Sequence, residues 1–387
     1  MNVIDLRDAL YERRIEIIEI TDSVVYYAEE IGVGDEERIY IYSYDNELDE
    51  ERVISEFTLE NNDFIQHFYI CGGSIIILFE NDGSSAWIVK IDKLSGVQQI
   101  RRKISLVGKF FECVPIDENN LMIYTRADEE NRTLFNRCFE TTNSETMANL
   151  YDIEKGYRYF VKDFKTAALI ENGTYSFVTA KGEEKLILCD PYCGEEEKEE
   201  LVRILSAQSA DISDELRDNI WLVSKQKLLA AVRSGSESIS LRRAASAGLE
   251  GTVRFECICG DKIIFRAKVY RSQLEQFFEM SALNGKITPL RGVRSDGGRY
   301  YTDSVCGKIY YIENLDDGIK IEGEIGSAAD IICPDDVGDM LSCIDDRYVI
   351  ATRSLGVPIT KIYDSRLGIT DTFEARAGIR GTTVVLY

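Results

Sequence analysis

Any Ser-His-Asp or Cys-His nucleophilic site in this chain would have to use its single histidine, His67. That residue stands in Phe64-Ile-Gln-His-Phe-Tyr-Ile, an apolar strand pattern, and reads as a partly buried strand residue rather than a general base. One histidine also removes every His-rich metal site. Cysteine is the remaining route to a metal, through Cys189-x-x-x-Cys193 and Cys257-x-Cys259. However, Cys257 and Cys259 lie two apart on a strand and so share a face, as core residues do. Cys71, Cys259 and Cys306 recur at one place in a repeat, which packing explains. No catalytic, cofactor-binding or metal-ligating residue is assigned from the sequence.

The 68 acids make many pairs, among them Asp316-Asp317, Asp335-Asp336 and Asp345-Asp346, all in turn-like contexts. A glycosidase needs two carboxylates roughly 5–10 Å apart across a cleft, and spacing along the chain does not place them. Asn81-Asp-Gly-Ser-Ser-Ala-Trp87 approaches the aspartate box of sialidases with the wrong spacing, and no Walker loop or dinucleotide fingerprint occurs. Asn131-Arg-Thr fits a glycosylation sequon, and Arg242-Arg-Ala-Ala-Ser246 reads as a loop.

The elements that would position such groups follow from composition. The chain has 387 residues, 44% of them hydrophobic and 29% charged, enough for a large core. A formal net charge of −23 repels polyanions, so neither nucleic acid nor an anionic membrane is an expected partner. The local basic run Arg101-Arg102-Lys103 reads as a solvated edge strand. The N-terminal stretch Met1-Asn-Val-Ile-Asp-Leu-Arg-Asp places acids where a secretory signal needs a basic patch and an apolar run. With ten cysteines read as buried thiols, the expectation is a cytoplasmic protein.

A tight turn followed by a dense apolar run recurs, as in Cys71-Gly-Gly-Ser-Ile-Ile-Ile-Leu-Phe, Cys259-Gly-Asp-Lys-Ile-Ile-Phe and Cys306-Gly-Lys-Ile-Tyr-Tyr-Ile. Apolar residues precede each turn as well, which makes a hairpin whose second strand is covered on both faces. A second turn follows in Ile91-Asp-Lys-Leu-Ser-Gly, Tyr151-Asp-Ile-Glu-Lys-Gly, Cys189-Asp-Pro-Tyr-Cys-Gly, Met280-Ser-Ala-Leu-Asn-Gly and Tyr363-Asp-Ser-Arg-Leu-Gly. Its distance from the first turn is steady at 71 to 92, 170 to 190, 259 to 281 and 344 to 364, with 116 to 152 lengthened by the stretch 128–147. First turns at Ile20, Cys71, Ile116, Ile170, Ser224, Cys259, Cys306 and Ile344 count eight units roughly 46 residues apart, within the range of a propeller blade.

These turns make the sequence resemble the β-propellers as a superfold, with Tyr-Asp-x-x-x-Gly turns similar to those of WD-type and quinoprotein-type blades. The Gly-His and Trp-Asp pairs of WD repeats are absent, so no family is named. The expectation is an all-β chain, a single propeller domain over 1–387 with seven or eight four-stranded blades. A pair of β-sandwiches would also give short strands, but not paired turns at a fixed offset. Two stretches break the pattern: 128–147, read as an extended hairpin or loop, and 195–216, read as a short helical insertion. The apolar end Thr382-Thr-Val-Val-Leu-Tyr387 is expected to close the ring on the N-terminal unit near Ile15–Ile20.

Two uses suit this reading. One is a non-catalytic scaffold for protein interaction or ligand recognition, marked by an exposed apolar or Tyr-rich patch. The other is an enzyme or small-ligand binder, of a glycan for instance, at the central channel, marked by convergent carboxylates with perturbed pKa values. Because the cysteines sit at packing positions, a strong chelator should leave the unfolding temperature unchanged. A fall of about ten degrees, or stoichiometric zinc in the purified protein, would contradict that reading.

Overall fold

The structure, a computed structural model, describes residues 1–7, 14–21, 23–33, 36–58, 63–81, 85–127, 133, 136, 146–172, 175–190, 218–247, 251–269, 274–294, 299–303, 307–315, 318–322, 331–333, 340–353 and 356–387. They form eight sheets, seven of four strands and one of three. Blade one is Arg14–Ile20, Val24–Val33, Glu36–Asp45 and Glu50–Thr58. Blade two is Asp63–Cys71, Ser74–Asn81, Ser85–Asp92 and Gln98–Ser105. Blade three is Lys109–Asp117, Asn120–Arg126, Thr146–Asp152 and Tyr157–Phe160. Blade four is Tyr175–Ala180, Glu183–Cys189, Asn219–Ser224 and Arg242–Ser246.

Blade five is Gly251–Cys259, Lys262–Val269, Leu274–Ser281 and Ile287–Arg294. Blade six is Arg299–Thr302, Ile309–Leu315, Gly318–Glu322 and Ile331–Cys333. Blade seven is Met340–Ile344, Tyr348–Arg353, Ile359–Asp364 and Ile369–Phe373. A closing sheet joins both ends of the chain, in the order Asn2–Asp5, Thr383–Leu386, Ala377–Arg380. Sequential four-stranded sheets of this order define an all-β, β-propeller fold. Two helices occur among the described residues, α1 (Phe164–Asn172) and α2 (Lys225–Arg233), neither long nor apolar enough to cross a membrane.

The chain forms two compact units. Arg13–Gly173 with Val223–Leu241 carries blades one to three and α2, and the remaining residues carry the other sheets. In each unit the cores lie between successive sheets. Ile75 and Ile77 meet Tyr26 and Ile41 of blade one, whereas Ile76 and Leu78 meet Leu121 and Ile123 of blade three. Ile75 to Leu78 are fully buried, which is why that run is apolar at consecutive positions instead of alternating. Blades four and five share Val178, Ile187, Ile263 and Phe265, and blades six and seven share Ile312, Ile321 and Val349. The first strands of blades one, two, three and five each carry a register shift, at Ile17/Glu19, Ile65/His67, Phe110/Glu112 and Phe255/Cys257. Such bulges add twist to a strand.

The eight sheets match the eight units counted in the sequence, but the partition differs. The turns placed at Ile170 and Ser224 are helices. In Lys225-Gln-Lys-Leu-Leu-Ala-Ala-Val-Arg the buried residues are Leu228, Leu229 and Val232, one helical face, and not a strand. The eighth sheet is the closing one. Its N-terminal strand is Asn2–Asp5, which pairs in parallel with Thr383–Leu386; Ile15–Ile20 is occupied as the first strand of blade one. Asp190 follows the second strand of blade four, not the third, and accepts bonds from the Asn219 amide at 2.8 Å and Trp221 Nε1 at 2.9 Å. Arg242–Ser246 is the fourth strand of blade four rather than a loop. The insertion 195–216 and most of 128–147 lie outside the described residues.

α2 is fastened within its unit. The Arg233 guanidinium donates to Asn120 Oδ1 at 2.8 Å and to buried Asp152 at 3.2 Å, and the Ile239 amide donates to Asp163 at 2.7 Å. Asp163 also caps α1 through the Thr166 amide and hydroxyl.

The second turns close alike. The amides of Gly96, Gly156, Gly285 and Gly368 donate to the carbonyls of Asp92, Asp152, Ser281 and Asp364 at 2.7–2.9 Å. At Gly96, φ is +72° and a Cβ would overlap the Ile54 carbonyl on the outer strand of blade one. Gly72 has a φ of +59° but meets only the flexible Glu118 carboxylate. Gly72→Ala should therefore cost about 1–2 kcal/mol, the backbone penalty alone. Gly96→Ala should cost clearly more, read as a larger drop in the urea midpoint; equal costs would mean that the turn does not bear on blade one.

Candidate functional site

The structure separates the residues that the sequence singles out. His67 lies in the first strand of blade two beside Tyr69 and Phe110, with ring centroids 5.6 Å and 6.3 Å away, and burial lowers its pKa. Cys257 is buried against Ile264, Phe277 and Ile309, and burial pushes the Cys189 thiol up to about 12, away from the thiolate that a metal would need. Among the described residues no three His, Cys, Asp or Glu side chains come together in a way that could hold a metal ion. Cys193, Cys306, Asn131, Asp316-Asp317 and Asp335-Asp336 lie outside those residues. Asp345 and Asp346 form a turn at positive φ, in which Asp346 accepts bonds from Lys308 at 2.8 Å and the Tyr310 hydroxyl at 2.7 Å. Arg101 to Lys103 lie on the outer strand of blade two, with Arg101 over the Trp87 ring at 5.1 Å.

Two arrangements remain that can act on something outside the chain. The first is built on the second turns, closed by glycine or, in blade one, by Asp49 at positive φ. Each carboxylate at the head of a turn accepts amide bonds two or three residues on: Asp45 from Glu47 and Leu48, Asp92 from Leu94 and Ser95, Asp364 from Arg366 and Leu367. With their polar backbone satisfied, the turns hold a leucine outward. Leu48, Leu94, Leu283 and Leu367 are 40–76% exposed. The residue after the closing glycine repeats the theme, with Val97, Tyr157 and Ile369 exposed by 54–60%. Single exposed apolar residues are ordinary on a surface; here one recurs two residues after the head of the turn in Leu94 and Leu283 and three after it in Leu48 and Leu367.

In the unit of blades one to three, two of these turns lie against the preceding sheet. Gly96 abuts Ile54 of blade one, and Gly156 abuts the Arg102 guanidinium of blade two, which also donates to the Glu154 carbonyl at 3.2 Å. The turns of blades two and three are thus each seated on the outer strand of the sheet before, and Leu48, Leu94, Val97 and Tyr157 are exposed apolar residues at the second turns of blades one to three. In the other unit, Gly285 abuts Arg242 of blade four in the same way. The motifs Asp-Lys-Leu-Ser-Gly and Asp-Ser-Arg-Leu-Gly carried this signal in their variable positions, where an apolar residue had no packing role.

The second arrangement is polar and lies in blades five and six. Arg266 Nε donates to Glu256 at 2.5 Å, its Nη1 reaches Glu275, and its plane lies over the Tyr300 ring at 4.7 Å. Lys268 stands 3.6 Å from Glu275. Burial raises the Glu256 pKa against the pull of Arg266, and burial carries the Tyr300 hydroxyl up to about 12. The five side chains of this network come from four strands, so no local motif announces it. Because Arg266 spans both carboxylates, the cluster is arranged as an ion network, with neither carboxylate free as a general base.

No protein-family model matches the sequence, and no curated protein matches it. Among solved structures the chain is similar to an uncharacterized protein from Listeria monocytogenes EGD-e, with 10% identity, 96% of this chain and 97% of that chain covered, and a TM-score of 0.48. It is similar to a prolyl endopeptidase at 10% identity and a TM-score of 0.48, over 94% of this chain but only 50% of that one. The β-propeller domain of the Trilobed protease from Pyrococcus furiosus gives 11% identity, 93% and 94% coverage, and a TM-score of 0.42. The chain spans about half the length of the endopeptidase. At such identities no property of those proteins passes to this one.

Replacing Arg266 by Met should leave Glu256 and Glu275 uncompensated and cost about 3–5 kcal/mol at pH 7. An acid whose folded pKa is raised contributes most below its unfolded value, 4.5 for Glu256, and loses that contribution as pH rises through the folded value. The deficit of Arg266→Met should therefore shrink as pH falls toward 5, read by urea unfolding at each pH. A deficit independent of pH would mean that lost packing, not charge, is the cause.

Proposed function

We propose that this propeller is a recognition scaffold that binds a protein partner on the outer turns of blades one to three. The observation that carries the reading is the set of outward apolar side chains, Leu48, Leu94, Val97 and Tyr157, on turns held by hydrogen bonds of their own. Such a set offers apolar area on rigid supports, so little ordering is lost on docking. Its polar surroundings, Glu47, Asp49, Lys93 and Lys155, supply the rim that interfaces use. The charge of −23 favours a partner of basic surface and speeds encounter with it. A competing reading as an enzyme or small-ligand binder would call on the Arg266 network, whose carboxylates are already engaged by the guanidinium.

The test is a triple variant, Leu48→Lys, Leu94→Lys and Tyr157→Lys, on exposed positions where stability should move by only about 0.5 kcal/mol each. In cells that express the protein, in-cell cross-linking should recover a partner with the wild type and lose it with the triple variant. Reconstitution with that partner, once purified, should give a Kd weakened by at least about a hundredfold, or 2.7 kcal/mol. Undiminished binding by the variant would overturn the proposal.

A further inference from the structure

Seven sheets have four strands and the closing sheet has three, with Asn2–Asp5 at its margin. In a parallel pair each strand turns alternate residues toward its partner. The Asn2 amide donates to the Thr382 carbonyl at 2.7 Å and the Leu6 amide to the Leu386 carbonyl at 2.9 Å, so Asn2, Ile4 and Leu6 direct their backbone groups inward. The N–H and C=O groups of Val3 and Asp5 therefore point away from Thr383–Leu386. Among the described residues no strand lies on that side.

The edge is held rigidly. Ile4 and Leu6 are buried, and Arg7 grips Asp5 at 2.6 Å and 2.8 Å while lying over the Phe373 ring at 5.5 Å. Val3 is 40% exposed. Asn-Val-Ile-Asp carries no lysine, proline or bulge, and its one charge, Asp5, is paired with Arg7, so its shortness is the protection the edge keeps.

We propose that this edge is a second binding site, which takes an extended, lysine-bearing segment of a partner protein as an antiparallel fourth strand. Main-chain bonds to Val3 and Asp5 supply the recognition, as in other cases of strand addition. Antiparallel pairing is the slightly stronger kind. The charge of −23 selects a basic segment and opposes pairing with a second copy of the same edge. This site goes beyond the one on the turns, and the two are separable because Val3 and Leu94 belong to different units.

The experiment uses the full chain and a blocked hexapeptide, Lys-Val-Thr-Val-Lys-Val, with amide hydrogen exchange as the readout. Without peptide, the Val3 and Asp5 amides should exchange fast while the Asn2 and Leu6 amides are protected. Peptide should protect Val3 and Asp5 saturably. Val3→Pro removes one outward donor without touching a bond to Thr383–Leu386, so it should weaken peptide binding by at least about tenfold with little change in melting temperature. Four outcomes would overturn the proposal: protection of Val3 and Asp5 before peptide is added, no protection at about millimolar peptide, unchanged binding by Val3→Pro, or a concentration-dependent dimer that Val3→Pro abolishes.

Discussion

The constraint on which the rest depends is the close approach of the turns closed by Gly96, Gly156 and Gly285 to the outer strand of the sheet before each of them. Where Gly96 meets the Ile54 carbonyl, no Cβ fits, and the backbone already sits at a φ that L-residues avoid. The approach sets the spacing of successive sheets at their outer margins, and the apolar faces of inner strands fill the gap that this spacing leaves. Phe79, Ile77 and Ile75 can pack on Tyr26 and Ile41 because the turn at Asp92 holds blade two against blade one. A local backbone requirement thereby acts as a long-range packing restraint.

The same turn explains the outward leucines. Once Asp92 has taken the amides of Leu94 and Ser95, and Gly96 has closed on the Asp92 carbonyl, the tip is full and its side chains have no inward direction left. A polar residue at Leu94 would satisfy the geometry as well, so the apolar choice adds nothing to the fold. That asymmetry separates a surface property from a structural one. The Arg266 network shows the reverse case, in which partly buried charges of blade five satisfy one another while the Arg266 guanidinium lies over the Tyr300 ring of blade six.

Much of the fold was legible because the turns are local. Asp92 to Gly96 and Asp364 to Gly368 can be read from five residues each, and the fully apolar run at Ile75 already says that both faces are covered. The fourth blade was misread because Lys225–Arg233 packs an apolar run as dense as a strand's onto one helical face. There Leu228, Leu229 and Val232 satisfy either periodicity over so short a span. The Asp190 turn deceived for a related reason: its Asp-x-x-x-Gly spacing is right, but its carboxylate serves Asn219 and Trp221, partners distant in sequence. Neither the Arg266 network nor the set of outward turn residues was legible, since one is assembled across strands and the other depends on knowing which residues stay exposed.

Closure is where the chain meets its largest entropic cost, because the pairing of Asn2 with Thr383 joins residues nearly the whole length apart. The compensating burial is local and dense, with Val384, Val385 and Leu386 fully buried. The parallel register turns the backbone groups of Asn2, Ile4 and Leu6 onto Thr383–Leu386 and those of Val3 and Asp5 to the opposite side, so the pairing that ties the two ends of the chain together also sets which backbone groups form the outer margin of the closing sheet.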